Sequence, residues 1–155
     1  MNVDIVSFPE TKLAAIEHRG PPALEYETLR KLIAWKIERR YLDPAIHRSY
    51  GLHYTDPFNP PASGHRVDFC LAVDDEIDPN PHGIVRKVIP RLRCARARDI
   101  GSRSNNQAAP YLYGIWLPQS GEAMGAHPII FHYVNVGPDV RPEAMITDVY
   151  LPLAQ

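Results

Sequence analysis

Proline recurs along this chain so often that few segments are free to form a long helix. There are 16 prolines in 155 residues, about twice the usual ~5%. Each removes a backbone donor and fixes φ, so a chain broken this frequently is built of short elements joined by turns, and a helical bundle is excluded. A sheet with a few helices is the remaining expectation. The apolar content of 45% is enough for one core of ordinary size. With 17 Lys and Arg against 18 Asp and Glu, no global basic field exists to hold a nucleic-acid backbone, so direct nucleic-acid binding is not expected. No apolar run approaches the ~18 residues of a membrane span, and the first eight residues lack the basic-then-apolar order of a signal peptide. A cytoplasmic protein without membrane contact is expected. Cys70 and Cys94 form no CxxC and sit in apolar, strand-like sequence, so both read as buried reduced thiols.

Some of the prolines are not scattered. An offset of 81 carries Pro9 onto Pro90, Ala14 onto Ala95, Gly20 onto Gly101, Trp35 onto Trp116, Ala45 onto Ala126, Pro57 onto Pro138 and Pro61 onto Pro142. The order of residue types persuades more than their number: a Pro before an extended segment, a Gly closing it, then one of the two Trp. The chain divides into repeat one (1–74), an acidic, Pro-containing linker (75–81) and repeat two (82–155). Each repeat reads as strand, helix, strand, strand. In the first these are 13–17, a helix over 24–40 carrying Leu29, Leu32, Ile33 and Ile37 at helical spacing, then 50–54 and 67–73, the last two separated by the turn Asp56-Pro57-Phe58-Asn59-Pro60-Pro61. In the second they are 92–97, a helix over 111–117 with Pro110 in its first turn and Pro118 and Gly121 stopping it, then 129–134 and 146–151. The expected fold is α+β: two tandem strand-helix-strand-strand (SHS2-type) repeats under pseudo-twofold symmetry, with one antiparallel sheet, both helices on one face, and a ligand cleft on the axis.

Seven histidines raise a metal site as a possibility, but neither HxxxH nor HxH occurs, and His127 and His132 are an odd number apart, so one strand would face them oppositely. No metal and no cofactor are expected, and no Walker loop, GxGxxG or GxSxG supports nucleotide or acyl chemistry. The aromatics Tyr50, Tyr54, Phe58, Phe69, Tyr111, Tyr113, Trp116, Phe131 and Tyr133 fall on elements expected to flank the axis. Trp35 falls at the rim of its helix's apolar stripe, where an indole can face a cavity. Glu17 and Asp68 alternate out of apolar strands and read as solvent-exposed charges. Arg91, Arg93, Arg96 and Arg98 read as a solvated face or a weak anion patch.

Several stretches together resemble the GyrI-like (gyrase-inhibitor-like) family, from about residue 3 to 153: His18-Arg19-Gly20-Pro21, Trp35 in the helix, Tyr50-Gly51-Leu52 followed by Asp56-Pro57, Tyr113-Gly114-Ile115-Trp116-Leu117-Pro118-Gln119-Ser120-Gly121, and Pro128-Ile129-Ile130-Phe131-His132-Tyr133-Val134-Asn135. The resemblance implies the fold of the effector-binding domains of AraC-type and multidrug-sensing transcription regulators, here as a stand-alone member with no room for a DNA-binding domain. It also implies a small-molecule site in an aromatic-lined cleft between the repeats. The family's usual motif has a buried Glu just before the Tyr of the late strand, where its charge meets cationic ligands or serves as an acid/base. This chain has His132 there, and a neutral imidazole offers a donor and an acceptor but no negative charge.

The expected function is therefore binding of a small aromatic or lipophilic ligand, neutral or weakly polar, lined by Trp35, Tyr50, Phe69, Tyr113, Trp116 and His132. Two alternatives stand beside it. One is hydrolysis of strained cyclopropane-type compounds, with His132 as base and Tyr113 as donor. The other is a protein-interaction module directed at DNA gyrase or another protein.

Overall fold

In the computed structural model, residues 1–55 and 65–155 are described. The Asp56 to Pro61 turn, with Phe58, Pro57 and Pro61, lies outside them. The described elements are α+β, with every strand pairing antiparallel. They fall into two compact units, Thr11–Ile89 and Met1–Glu10 joined with Pro90–Gln155.

The first unit contains β2 (Thr11–Gly20), α1 (Glu25–Glu38), β3 (Ser49–His53), β4 (His65–Ala72) and β5 (Val85–Ile89). Its strands pair in the order β5-β2-β4-β3. The second contains β1 (Val3–Phe8), β6 (Leu92–Ile100), a helix α2 over 108–120, β7 (Ile129–Tyr133) and β8 (Ile146–Pro152), paired in the order β1-β6-β8-β7. The order is the same in both. The outermost strand of each unit leads through a short Pro-containing connection, at Pro9 or Pro90, into a strand of the other unit. Strands β1 and β5 were not foreseen from the sequence, because Val3–Phe8 and Val85–Ile89 are short and half-polar. They are edge strands with one neighbour each, so little apolar patterning is demanded of them.

The repeat offset is 81 through the first strands and helices but 80 thereafter. Glu17 pairs with Asp68 and Leu52 with Asp68, whereas Arg98 pairs with Asp148 and His132 with Asp148. Asp68 and Asp148 are thus equivalent, as are Leu52 and His132. One residue fewer separates helix from strand in the second copy.

Each helix covers one face of its own sheet. Leu32 and Trp35 of α1 pack on Ala14, Ile16, Val67, Phe69 and Leu71, while Ala108, Ala109 and Leu112 of α2 pack on Ala95, Ala97, Ile129, Phe131, Val149 and Leu151. These strand positions alternate, as a pleat requires. Burying a side chain of this size contributes about 1.5–3 kcal/mol, so these apolar stripes are what fix the register.

Two sequence expectations are corrected in α2. The helix starts at Ala108, which places Pro110 in its third position, and it runs past Pro118 to Ser120 before Gly121 ends it at φ 76°. Just before this proline, Leu112–Trp116 widens into a π-helical segment, a geometry in which the pyrrolidine ring has room beside the preceding turn.

Candidate functional site

The position that the family resemblance singles out is His132, on β7. Ile129 and Phe131 face α2, so His132 lies on the opposite face, directly across from Asp148. Asp148 is 3% exposed. Arg98 on β6 holds it with two hydrogen bonds, Nε to Oδ1 at 2.7 Å and Nη2 to Oδ2 at 3.0 Å, and Arg96 Nη2 approaches Oδ2 at 3.4 Å. Burial pushes the Asp148 carboxyl up, but the Arg98 hydrogen bonds and the charges of Arg96, Arg98 and His132 outweigh it and hold the group below the usual carboxylate range. His132, Asp148 and Arg98 therefore form one row across three strands. Beside Arg96 and Arg98, an open depression of about 220 Å³ is lined by these two arginines with Asn2 and Asp4. The arginine-rich stretch is thus an ion-pairing surface. Arg93 also makes a two-pronged contact to Glu122, at 2.8 and 2.7 Å.

The equivalent carboxylate in the first unit overturns an expectation. Asp68 is not a solvent-exposed charge; it is 0% exposed, because β4 is buried on both faces. Its Oδ2 accepts hydrogen bonds from Tyr54 Oη and Lys87 Nζ, both at 2.8 Å, and Lys87 also reaches Glu17 Oε1 at 2.6 Å. The Lys87 bond holds the Glu17 carboxyl below its usual range. Burial lowers the ammonium of Lys87, but its two carboxylate bonds win and raise it. Burial and the bond to Asp68 push the Tyr54 phenol up to about 12. Glu17 is exposed, as expected.

The six residues expected to line a ligand site lie in different surroundings. Trp35 is not at a rim; it is 1% exposed and packs with Phe69 in the core beneath α1. A helical wheel could not show this, since β2 and β4 wrap the indole. Tyr50 lies on β3 across from Cys70, with Arg48 Nε donating to its hydroxyl at 2.7 Å. Tyr113 and Trp116 belong to the π segment and pack against the core of the second unit. Tyr113 and His132 are on opposite sides of that sheet. Cys70 and Cys94 are free and buried, and burial raises both thiols, Cys94 to about 11. Among the described residues, no three His, Cys, Asp or Glu side chains gather as metal ligands, and no helix is long and apolar enough to cross a membrane.

Sequence reading missed Asp148 and mistook Asp68. A usable signal existed: each Asp interrupts an apolar strand, and the two recur at the same register of the duplicated unit.

Comparison with known proteins agrees with this architecture. The GyrI-like small molecule binding domain model matches residues 1–154. A probable transcriptional regulator, YgiV of Escherichia coli (strain K12), is 32% identical, covering 99% of this chain and 97% of its own. A DNA gyrase inhibitor of Erwinia billingiae (strain Eb661) is 28% identical, over 88% of each chain. The crystal structure of the EcmrR C-terminal domain superposes with a TM-score of 0.75 at 19% identity, covering 99% of this chain and 98% of that one. The aromatic helix ending, the two α+β units of matching strand order and the whole-length match lead to one conclusion: this chain belongs to the GyrI-like small-molecule-binding domain family.

Proposed function

We propose that the protein binds a small aromatic or lipophilic molecule, neutral or weakly polar, in the cytoplasm, at a site to which His132 contributes. The whole-length match to a small-molecule-binding family supports binding. The observation that carries the preference against cations is the row at His132. Where the family's usual motif has a carboxylate there is an imidazole, and the carboxylate facing it, Asp148, is already saturated by Arg98 and Arg96. No uncompensated negative charge remains there for a lipophilic cation to meet.

Titration of the intrinsic tryptophan fluorescence tests this. Neutral aromatic compounds are expected to quench it and lipophilic cations to leave it unchanged, whereas His132→Glu is expected to gain at least tenfold in cation affinity. Equal cation binding by both proteins removes the charge argument, and silence towards every compound removes the binding reading. Hydrolysis is the weaker reading, because the sheet separates His132 from Tyr113. A gyrase-directed role is favoured only by the name of the Erwinia relative; supercoiling by purified gyrase, measured with and without the protein, decides it.

A further inference from the structure

The buried cluster around Asp68 holds two polar atoms with nothing to bond. Among the described residues, Asp68 Oδ1 accepts no hydrogen bond and Arg66 Nε donates none, although both atoms are buried. The two residues are separated by one position on β4 and so project from the same face. Tyr54 stands between them. Its hydroxyl is on Asp68 Oδ2 at 2.8 Å, and the Arg66 guanidinium lies 3.7 Å from its ring centroid. The remaining charges are accounted for: Lys87 bridges Asp68 and Glu17, and Arg66 Nη2 lies 3.6 Å from Glu17 Oε1. An unmet acceptor buried at 0% exposure normally costs about 1–3 kcal/mol. The equivalent Asp148 leaves no oxygen open, so the fold does not require the vacancy.

We propose that Asp68 and Arg66 form the polar recognition point for the ligand, taking a neutral group that both donates and accepts, such as a phenolic or alcoholic hydroxyl or a primary carboxamide. The group's hydrogen is donated to Asp68 Oδ1, and its oxygen accepts from Arg66 Nε. A further cation is disfavoured, because Lys87, Arg66 and Arg19 already outnumber Asp68 and Glu17 here. Tyr54 is the half-open wall, 38% exposed, and its side chain swings off Asp68 to admit the group. This subsite rests on the small-molecule reading above and specifies the class of ligand.

Calorimetric titration with the matched pair 2-naphthol and 2-methoxynaphthalene tests it, since methylation removes only the donor. The wild-type protein is expected to bind the naphthol at least tenfold more tightly. Asp68→Asn, checked for folding by circular dichroism, is expected to reduce that preference to threefold or less. Tyr54→Phe, which keeps the carboxylate and removes its competitor, is expected to retain or enlarge it. Equal binding of the two compounds by wild type, or an unchanged preference in Asp68→Asn, overturns the subsite while leaving small-molecule binding in place. Failure of both compounds to bind overturns the subsite, and the fluorescence titration with the wider panel then decides the binding reading by itself. Should Asp68→Asn not fold, loss of the preference in Tyr54→Phe overturns the subsite equally.

Discussion

Asp68 and Asp148 occupy one register position of a duplicated unit, both buried on the sheet face turned from the helix, yet they are neutralised by different means. Asp148 takes two parallel bonds from Arg98 on the adjacent strand, a fork that satisfies both oxygens. Asp68 faces Glu17 where Asp148 faces Arg98, so its countercharge comes from β5, as the point charge of Lys87, shared with Glu17. One solution is complete and local. The other spreads one cation over two anions and leaves an oxygen open. The two units thus share the backbone site of a buried carboxylate but differ in the strand that compensates it, and the less complete site is the one equipped to take a ligand group.

The largest expected effect breaks the more complete pair. Asp148→Ala leaves Arg96 and Arg98 without their shared anion and should lower stability by about 3 kcal/mol, read from urea unfolding. Asp68→Ala should cost only about 2 kcal/mol, because Lys87 retains Glu17 and an unpaired oxygen is removed along with the paired one. The reverse ranking would show that completeness of pairing is not what distinguishes the copies. Acid probes the Asp148 pair as well. Asp148 has its pKa depressed in the folded state, so its contribution is full above the unfolded carboxylate value of about 3.9 and fades as pH falls through the folded one.

A second contrast lies at His53, whose counterpart across β7 and β8 is Tyr133. Burial, with the charge of His65 adding to it, lowers the His53 pKa to about 3. The folded protein keeps the ring neutral while the unfolded chain protonates it below about 6.5. Stability should therefore decline from about pH 6.5 downward, with roughly 2 kcal/mol lost to this group by pH 5 and the decline ending near pH 3. His53→Tyr, which places the second copy's residue in the first, should flatten the denaturant midpoint between pH 7 and 5. An unchanged slope would move the acid sensitivity elsewhere.

Much of the backbone plan was legible because it is governed by local rules. Pro9 and Pro90, Gly20 and Gly101, and Trp35 and Trp116 do mark matching places, and four of the eight described strands, β3, β4, β7 and β8, begin and end within two residues of their sequence reading at both ends. What could not be read depends on partners far along the chain. The edge strands β1 and β5 are defined by β6 and β2, not by their own patterning. The burial of Trp35 depends on strands that wrap it, and the buried state of Asp68 depends on Lys87, nineteen residues away. The single-residue change in offset that makes His132 face Asp148 arises in the connection after α2, where the one identity, Ala45 with Ala126 at the offset of 81, gives no sign of it.

Closest similarity between the copies is expected at Gly20 and Gly101, with φ of 138° and 137° at the end of their strands. A Cβ at either would meet no atom within 4 Å, so the cost of Gly→Ala is purely conformational, about 1–2 kcal/mol. The two substitutions should give thermal shifts that agree within error. A clear difference would mean that the two turns are held differently despite their matching backbone.

The smallest effect should come from the one place where the helices themselves diverge. At the offset of 81, Pro118 of α2 matches Ile37 of α1, and α1 is regularly α-helical there, whereas α2 carries the π segment. If the proline causes the widening, Pro118→Ala restores a donor and removes the ring clash, so the segment tightens and stability rises by about 1 kcal/mol. Tightening by one residue would also rotate Tyr113 and Trp116 relative to the core they partly cover, shifting the Trp116 fluorescence maximum. A stability gain without that shift would mean that packing against Phe131 and Val149, and not the proline, dictates where these two aromatics point.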